Sequence, residues 1–228
     1  MTPQAVMIFA AGLGTRMGAL TRTRPKALIE VAGRPLIDHA LALVREARIP
    51  RVVVNTHAHA DQLAAHLALT APDVLLSHEP VLLETGGGLR HALPLLGPGP
   101  VFTLNADMVW TGPNPLTALA EAWRGPEANG GALLSLVPRE AATGHAGPGD
   151  FFLPLRRRGD ASTAPYVYAG AQIIDPAALA GFPAEAFSMN PVWDALLARG
   201  RLHATVHPGG WADVGRPEGI ALAEALLA

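Results

Sequence analysis

The chain has 228 residues, half of them hydrophobic and 16% charged, with a formal net charge of −2. That composition supports a sizeable core and leaves no broad basic surface for DNA or RNA. The lack of cysteine excludes disulfides and thiolate metal sites. No stretch approaches the roughly 20 apolar residues that span a bilayer, and the N-terminus has no basic segment leading into a cleavable apolar run, so a soluble, cytoplasmic protein is expected.

In chain order, Val6 to Ala10 reads as a short buried strand. A helix is expected across GRPLIDHALALVREARI, with Pro35 in its first turn and Leu36, Ile37, Ala40, Leu41, Val44 and Ala47 on one face. RVVVN at 51–55 is the next strand, ADQLAAHLAL a helix and VLLSHE a third strand. GGGLRHALPLLG reads as a helix entered through glycines, VFTLNAD as a strand ending on a carboxylate, NPLTALAEAW as a helix and ALLSLV as a strand. This alternation indicates an α/β fold, a Rossmann-like and mostly parallel sheet flanked by helices. After residue 138 the regularity fails: REAATGHAGPGD is a loop, FFLPLRRRG and YVYAGAQII resemble paired strands, NPVWDALLARG is helical, LHATVHP is a strand and RPEGIALAEALLA a closing helix. The expectation is one domain over 1–228, with a first lobe of about 1–138 and a smaller closing lobe of about 139–228.

In open parallel sheets ligands bind beyond the carboxyl ends of the strands. MIFAAGLGTRM, at 7–17, ends such a strand in Ala11, Gly12 and Gly14, then adds Thr15 and Arg16. Exposed main-chain amides favour anions, and a guanidinium fork matches phosphate oxygens, so the loop suits a polyphosphate. Two familiar alternatives do not fit. The dinucleotide fingerprint needs a glycine where Met17 stands, and no Gly-Lys-Ser/Thr closes a P-loop. Lys26, stiffened by Pro25 and near Arg22 and Arg24, is a second phosphate-ligand candidate.

FAAGLGTRM, RPKALIEVAGRPLIDHAL, ETGGGLRHALPLLG, NAD and WADVG together resemble the sugar-1-phosphate nucleotidylyltransferases, in that family's order and over almost the whole chain. The ETGGG segment is most similar to the N-acetylmuramate-1-phosphate uridylyltransferases of cell-wall recycling. Guanylyltransferases for mannose-1-phosphate and uridylyl- or thymidylyltransferases for glucose-1-phosphate are alternatives.

The resemblance implies attack of a sugar-1-phosphate oxygen on the α-phosphorus of a nucleoside triphosphate, with UTP favoured, and departure of pyrophosphate. A phosphate monoester with a second pKa of about 6 needs no general base at neutral pH, so cations and hard carboxylates for Mg²⁺ carry the requirement. Arg16 and Lys26 are the implied catalytic cations. Ala11, Gly12, Gly14, Thr15, Glu84 and Gly87 are the implied nucleotide contacts, with Thr85 beside them. Asp107 and Asp213 are the implied Mg²⁺ ligands, although the family has glycine where Ala106 precedes Asp107. Asn105, Asp150, Gly170 and Asn190 are the implied sugar contacts; Asn190 reads equally as a helix N-cap, and Glu84 as a favourable charge at a helix start.

Trp211 is placed to order the loop that presents Asp213. His57 and His59 lack a third ligand pattern, so no zinc is expected, and Arg156–Arg158 reads as a solvated edge. From other classes, a non-catalytic nucleotide-sugar sensor would be expected to lose Arg16, Lys26, Asp107 or Asp213, and all four are present. A dinucleotide-dependent oxidoreductase is disfavoured at Met17. The implied partners are a nucleoside triphosphate and a sugar-1-phosphate, with no nucleic acid and no membrane; oligomeric state is open.

Overall fold

Alternation within the first strand sets the layers. In β1 (Ala5–Phe9), Val6 and Ile8 enter one buried cluster and Met7 enters another, so the strand is covered on both faces. The computed structural model describes residues 2–123 and 130–228. Two short 3₁₀ segments, Thr15–Thr21 and Lys26–Leu28, follow β1. Next come β2 (Glu30–Val31), β3 (Arg34–Pro35), α1 (Leu36–Glu46), β4 (Arg51–Thr56), α2 (Ala60–Thr70) and β5 (Leu75–His78). They are followed by α3 (Glu84–Leu96), β6 (Val101–Asn105), β7 (Met108–Trp110) and α4 (Pro115–Ala122). The rest carries β8 (Ala132–Pro138), β9 (Ala142–Thr143), β10 (Phe151–Phe152), β11 (Arg156–Arg157), β12 (Tyr166–Ile174), α5 (Asn190–Ala198), β13 (Leu202–Val206), β14 (Trp211–Asp213) and α6 (Glu218–Leu227).

The α/β class expected from the alternation is the one observed, with a mixed sheet. β6, β1, β4 and β5 are parallel neighbours. β12 runs antiparallel between β6 and β8, and β13 lies parallel on β8. A strand from the later part of the chain therefore sits inside the sheet begun by the earlier part. FFLPLRRRG is itself a hairpin, β10 with β11, and pairs antiparallel with β12 at Phe151 and Tyr166.

Local chemistry accounts for the shifted boundaries. Pro35 has an extended ψ of 141° and precedes α1 instead of lying in its first turn, because the preceding residues pair as the β2–β3 hairpin. α3 starts at Glu84, two residues before the glycines, and takes in all three of them. A separate three-stranded sheet, β7–β14–β9, stands at the carboxyl end of β6. Trp211 anchors it: the ring is buried, and the indole N–H donates to the Ala169 carbonyl at 2.8 Å. No described helix is long and apolar enough to cross a membrane.

Candidate active site

The first turn is shaped by steric need. Gly14 has φ +61°, and a Cβ there would lie 2.8 Å from the Thr21 methyl and 3.0 Å from Lys26 Cβ, so only glycine fits. Around Gly12 a Cβ would meet nothing within 4 Å, which leaves room for a ligand to approach. The amides of Gly12 and Gly14 make no hydrogen bond among the described residues. Ala11 corrects the sequence expectation. Its amide donates to Asn55 Oδ1 at 3.1 Å, beside that of Ala10 at 2.6 Å, so it is not free to bind an anion.

Asn55 also donates through Nδ2 to Glu79 Oε1 at 2.7 Å, and Glu79 Oε2 accepts from the Leu83 amide at 2.9 Å. This fully paired buried chain ties the end of β1 to those of β4 and β5 and to the entry of α3. Asn55 and Glu79 were missed by sequence reasoning, although each is the polar residue closing an apolar strand at the ligand-binding rim.

The small sheet brings the two aspartates together. Asp213 pairs with Met108 across β14 and β7, and the Val214 amide donates to the Asp107 carbonyl at 3.0 Å. Lys26 Nζ sits 2.5 Å from Asp107 Oδ2, with only 11% of the lysine side chain exposed. Burial, then the charge of Asp107, raises the Asp213 pKa above its ordinary value; Lys26, Arg16 and His145 oppose that rise. Five titratable groups separated widely in sequence thus share one electrostatic neighbourhood. Two close carboxylates in partial burial call for positive charge, and Lys26 supplies part of it. Among the described residues no cluster of three or more metal-ligating side chains exists. Two hard carboxylates suit Mg²⁺, which fills its remaining positions with water and phosphate oxygens.

Two clefts meet at Phe9, Thr85 and Asn105. The smaller, about 230 Å³, is lined by Gly12, Asn55, Glu79, Glu84 and Asp107 among others. The larger, about 660 Å³, takes in Arg16, Asp213 and Arg216 on one side and Asp150, Tyr168, Gln172, Asn190 and Trp193 on the other. Glu84 opens α3 with φ +58°, a strained setting for a non-glycine residue, and borders the smaller cleft. Asp150 borders the larger and accepts from the Tyr168 amide at 2.9 Å. Gly170, at φ +84° in the irregular middle of β12, lets Asn105 pack across it; a Cβ there would fall 3.0 Å from Asn105 Cβ.

Two further expectations are corrected and a third is refined. Gly87 does not face the cradle: its amide donates to the Phe187 carbonyl at 3.0 Å, and a Cβ would strike the Glu185 carbonyl at 2.6 Å. Its small size serves the strap at 185–189, which Thr85 also holds by accepting from the Met189 amide at 3.0 Å. Asn190 is not an N-cap; Met189 occupies that position, and Asn190 Oδ1 accepts from Arg157 at 2.8 Å. The arginine run lies on the edge strand β11 with Arg156 exposed, as expected, but its side chains are also engaged. Arg156 stacks 3.8 Å over Phe152, Arg157 lies 3.3 Å from Asp194, and Arg158 donates to the Gly149 and Ala161 carbonyls.

A glycine turn, a buried lysine with an exposed arginine near it, and paired carboxylates at the carboxyl ends of parallel strands are the equipment of an enzyme that acts on nucleoside triphosphates. Residues 6–175 match the MobA-like NTP transferase domain, and the chain belongs to that family. It is 42% identical to the N-acetylmuramate alpha-1-phosphate uridylyltransferase of Caulobacter vibrioides, over 99% of this chain and 98% of the relative. The enzyme of the same name from Neisseria meningitidis serogroup B is 34% identical over 92% of each chain. A candidate glucose-1-phosphate thymidylyltransferase from Bacillus anthracis, solved with sucrose, superposes with a TM-score of 0.81 at 17% identity, covering 97% of this chain and 94% of its own. The chain is therefore a nucleotidyltransferase of the sugar-1-phosphate class, resembling the N-acetylmuramate alpha-1-phosphate uridylyltransferases at near full length.

Proposed function

We propose that this enzyme transfers a uridylyl group from UTP to N-acetylmuramate-1-phosphate, giving the nucleotide sugar and pyrophosphate, as a cytoplasmic step of peptidoglycan recycling. The observation that carries the reading is the convergence of Arg16, Lys26, Asp107 and Asp213 at one rim between two clefts. A sugar-phosphate oxygen forms a bond to the α-phosphorus, and the bond from that phosphorus to the bridging oxygen breaks as pyrophosphate leaves.

Arg16, with the free amides of Gly12 and Gly14 and the adjoining Thr15, grips the β- and γ-phosphates. Lys26 neutralises the α-phosphate or the incoming sugar phosphate. Asp107 and Asp213 hold Mg²⁺, whose chemistry is Lewis-acid neutralisation of phosphate oxygens. Lys26 must then share Asp107 with the ion, so its ammonium becomes available to phosphate when the carboxylate is otherwise compensated. Glu84 borders the nucleotide cleft; Asn105, Asp150, Gly170 and Asn190 border or shape the sugar cleft.

Pyrophosphate release from each triphosphate against a panel of sugar-1-phosphates, with and without Mg²⁺, tests this. Release that requires UTP, N-acetylmuramate-1-phosphate and the metal together is expected. Nucleotide binding without release would instead favour a regulatory protein on the same scaffold.

A further inference from the structure

One polar side chain deep in the larger cleft has half of its hydrogen-bonding capacity unused. Gln172 has no exposed surface yet borders the cleft. Its Oε1 accepts from the Trp193 indole N–H at 2.9 Å. An indole nitrogen can only donate, so this contact fixes the amide with Oε1 toward Trp193 and Nε2 away from it. Nε2 has no partner among the described residues.

The orientation is held firmly. Trp193 packs edge-on against Tyr168 at 4.6 Å and Phe151 at 6.1 Å, with the Arg157 guanidinium 5.7 Å from its ring. An unpaired buried donor is unfavourable in the free protein, and a ligand that supplies an acceptor recovers that loss. Among the described residues the buried side-chain amides of Asn55 and Asn114 are paired, whereas this one is unpaired with its orientation held by a rigid neighbour.

Given the nucleotide-sugar chemistry proposed above, on which this reading rests, we infer that Gln172 is a specificity-determining residue whose Nε2 donates to the carbonyl oxygen of an acylamino substituent on the sugar. The surroundings favour a neutral acyl group over a charged one. Phe9, Met189 and Trp193 border the same space and suit a methyl group, whereas a carboxylate would be drawn to Arg16 and Arg216 at the phosphate side. A hydroxyl in place of the acylamino group is too short to carry both the acceptor and the methyl. Neither Gln172 nor Trp193 belongs to the phosphate machinery, so the discrimination is separable from catalysis.

The test is calorimetric binding of UDP-N-acetylglucosamine and UDP-glucose, which differ only in acetamido against hydroxyl at one carbon. Wild-type protein should bind the acetamido sugar at least about tenfold more tightly. Gln172→Met, close in shape but lacking the donor, should bring that ratio close to one, and Trp193→Phe, which frees the amide to rotate, should lower it in part. Equal affinities in the wild-type protein, or an undiminished ratio in folded Gln172→Met, would overturn the assignment and leave uridylyl transfer standing. Failure of both UDP-sugars to bind the wild-type protein would instead overturn the nucleotide-sugar reading, and this assignment with it.

Discussion

The rim of Arg16, Lys26, Asp107 and Asp213 is built from charges of both signs, with Lys26 paired to Asp107. The wall of Gln172, Trp193 and Tyr168 is built from neutral groups fixed by packing. The first is poised because burial, and then the neighbouring charge of Asp107, push Asp213 toward protonation, while Lys26 restrains that push. The second is poised because one donor has no acceptor. The Tyr168 hydroxyl is driven well above its ordinary pKa by burial, so it stays neutral there even in alkaline solution. Under the proposed function, charge would serve phosphate binding and the neutral groups would serve discrimination of the sugar.

The difference can be broken most severely at Asp107. Asp107→Asn should lower turnover about 1000-fold or more, roughly 4 kcal/mol of barrier, while thermal unfolding stays cooperative; near-normal rates would remove Asp107 from the metal site. Asn55→Ala acts beneath the glycine turn that carries the rim. It leaves the Ala10 and Ala11 amides and the buried Glu79 carboxylate short of partners, and should cost about 2–4 kcal/mol in urea unfolding. Lys26→Ala should reduce kcat/KM at least about tenfold, roughly 1.4 kcal/mol; an unchanged kcat/KM would make it a bystander.

The smallest effect lies outside both regions, at His207. Burial lowers its pKa below 6.5, outweighing its bonds to the Thr111 and Gly210 backbone. The folded state therefore favours the neutral ring. Its contribution to stability is complete above the unfolded value and is lost as pH falls from about 6.5 toward the folded pKa. Melting temperatures of wild type and His207→Gln measured across that window should converge toward acid pH; a constant gap would contradict the shift.

How much of this was readable beforehand follows the same division. The charged rim was legible because its residues sit in fixed short segments: a glycine turn before Arg16, Lys26 after Pro25, and carboxylates in NAD and WADVG. The parallel half of the sheet was legible from alternation. The neutral wall was not, since Gln172 lies within the apolar YVYAGAQII and Trp193 within an ordinary amphipathic helix. Only the pairing of β12 with β6 and the packing of α5 bring the two into contact. A fully buried glutamine in a strand of alanines and isoleucines was the available signal. Ala11 and Gly87 were misassigned because a sequence shows that an amide exists and is small, but not whether another residue has already taken it.

The most direct measurement is a crystal of the protein grown with Mn²⁺ and a non-hydrolysable UTP analogue, read by anomalous scattering. A metal peak at about 2.0–2.3 Å from oxygens of both Asp107 and Asp213, with Lys26 turned from Asp107 toward the α-phosphate, is the result expected. A metal bound away from this pair, with Lys26 still on Asp107 and the triphosphate far from Gly12 and Gly14, would contradict it.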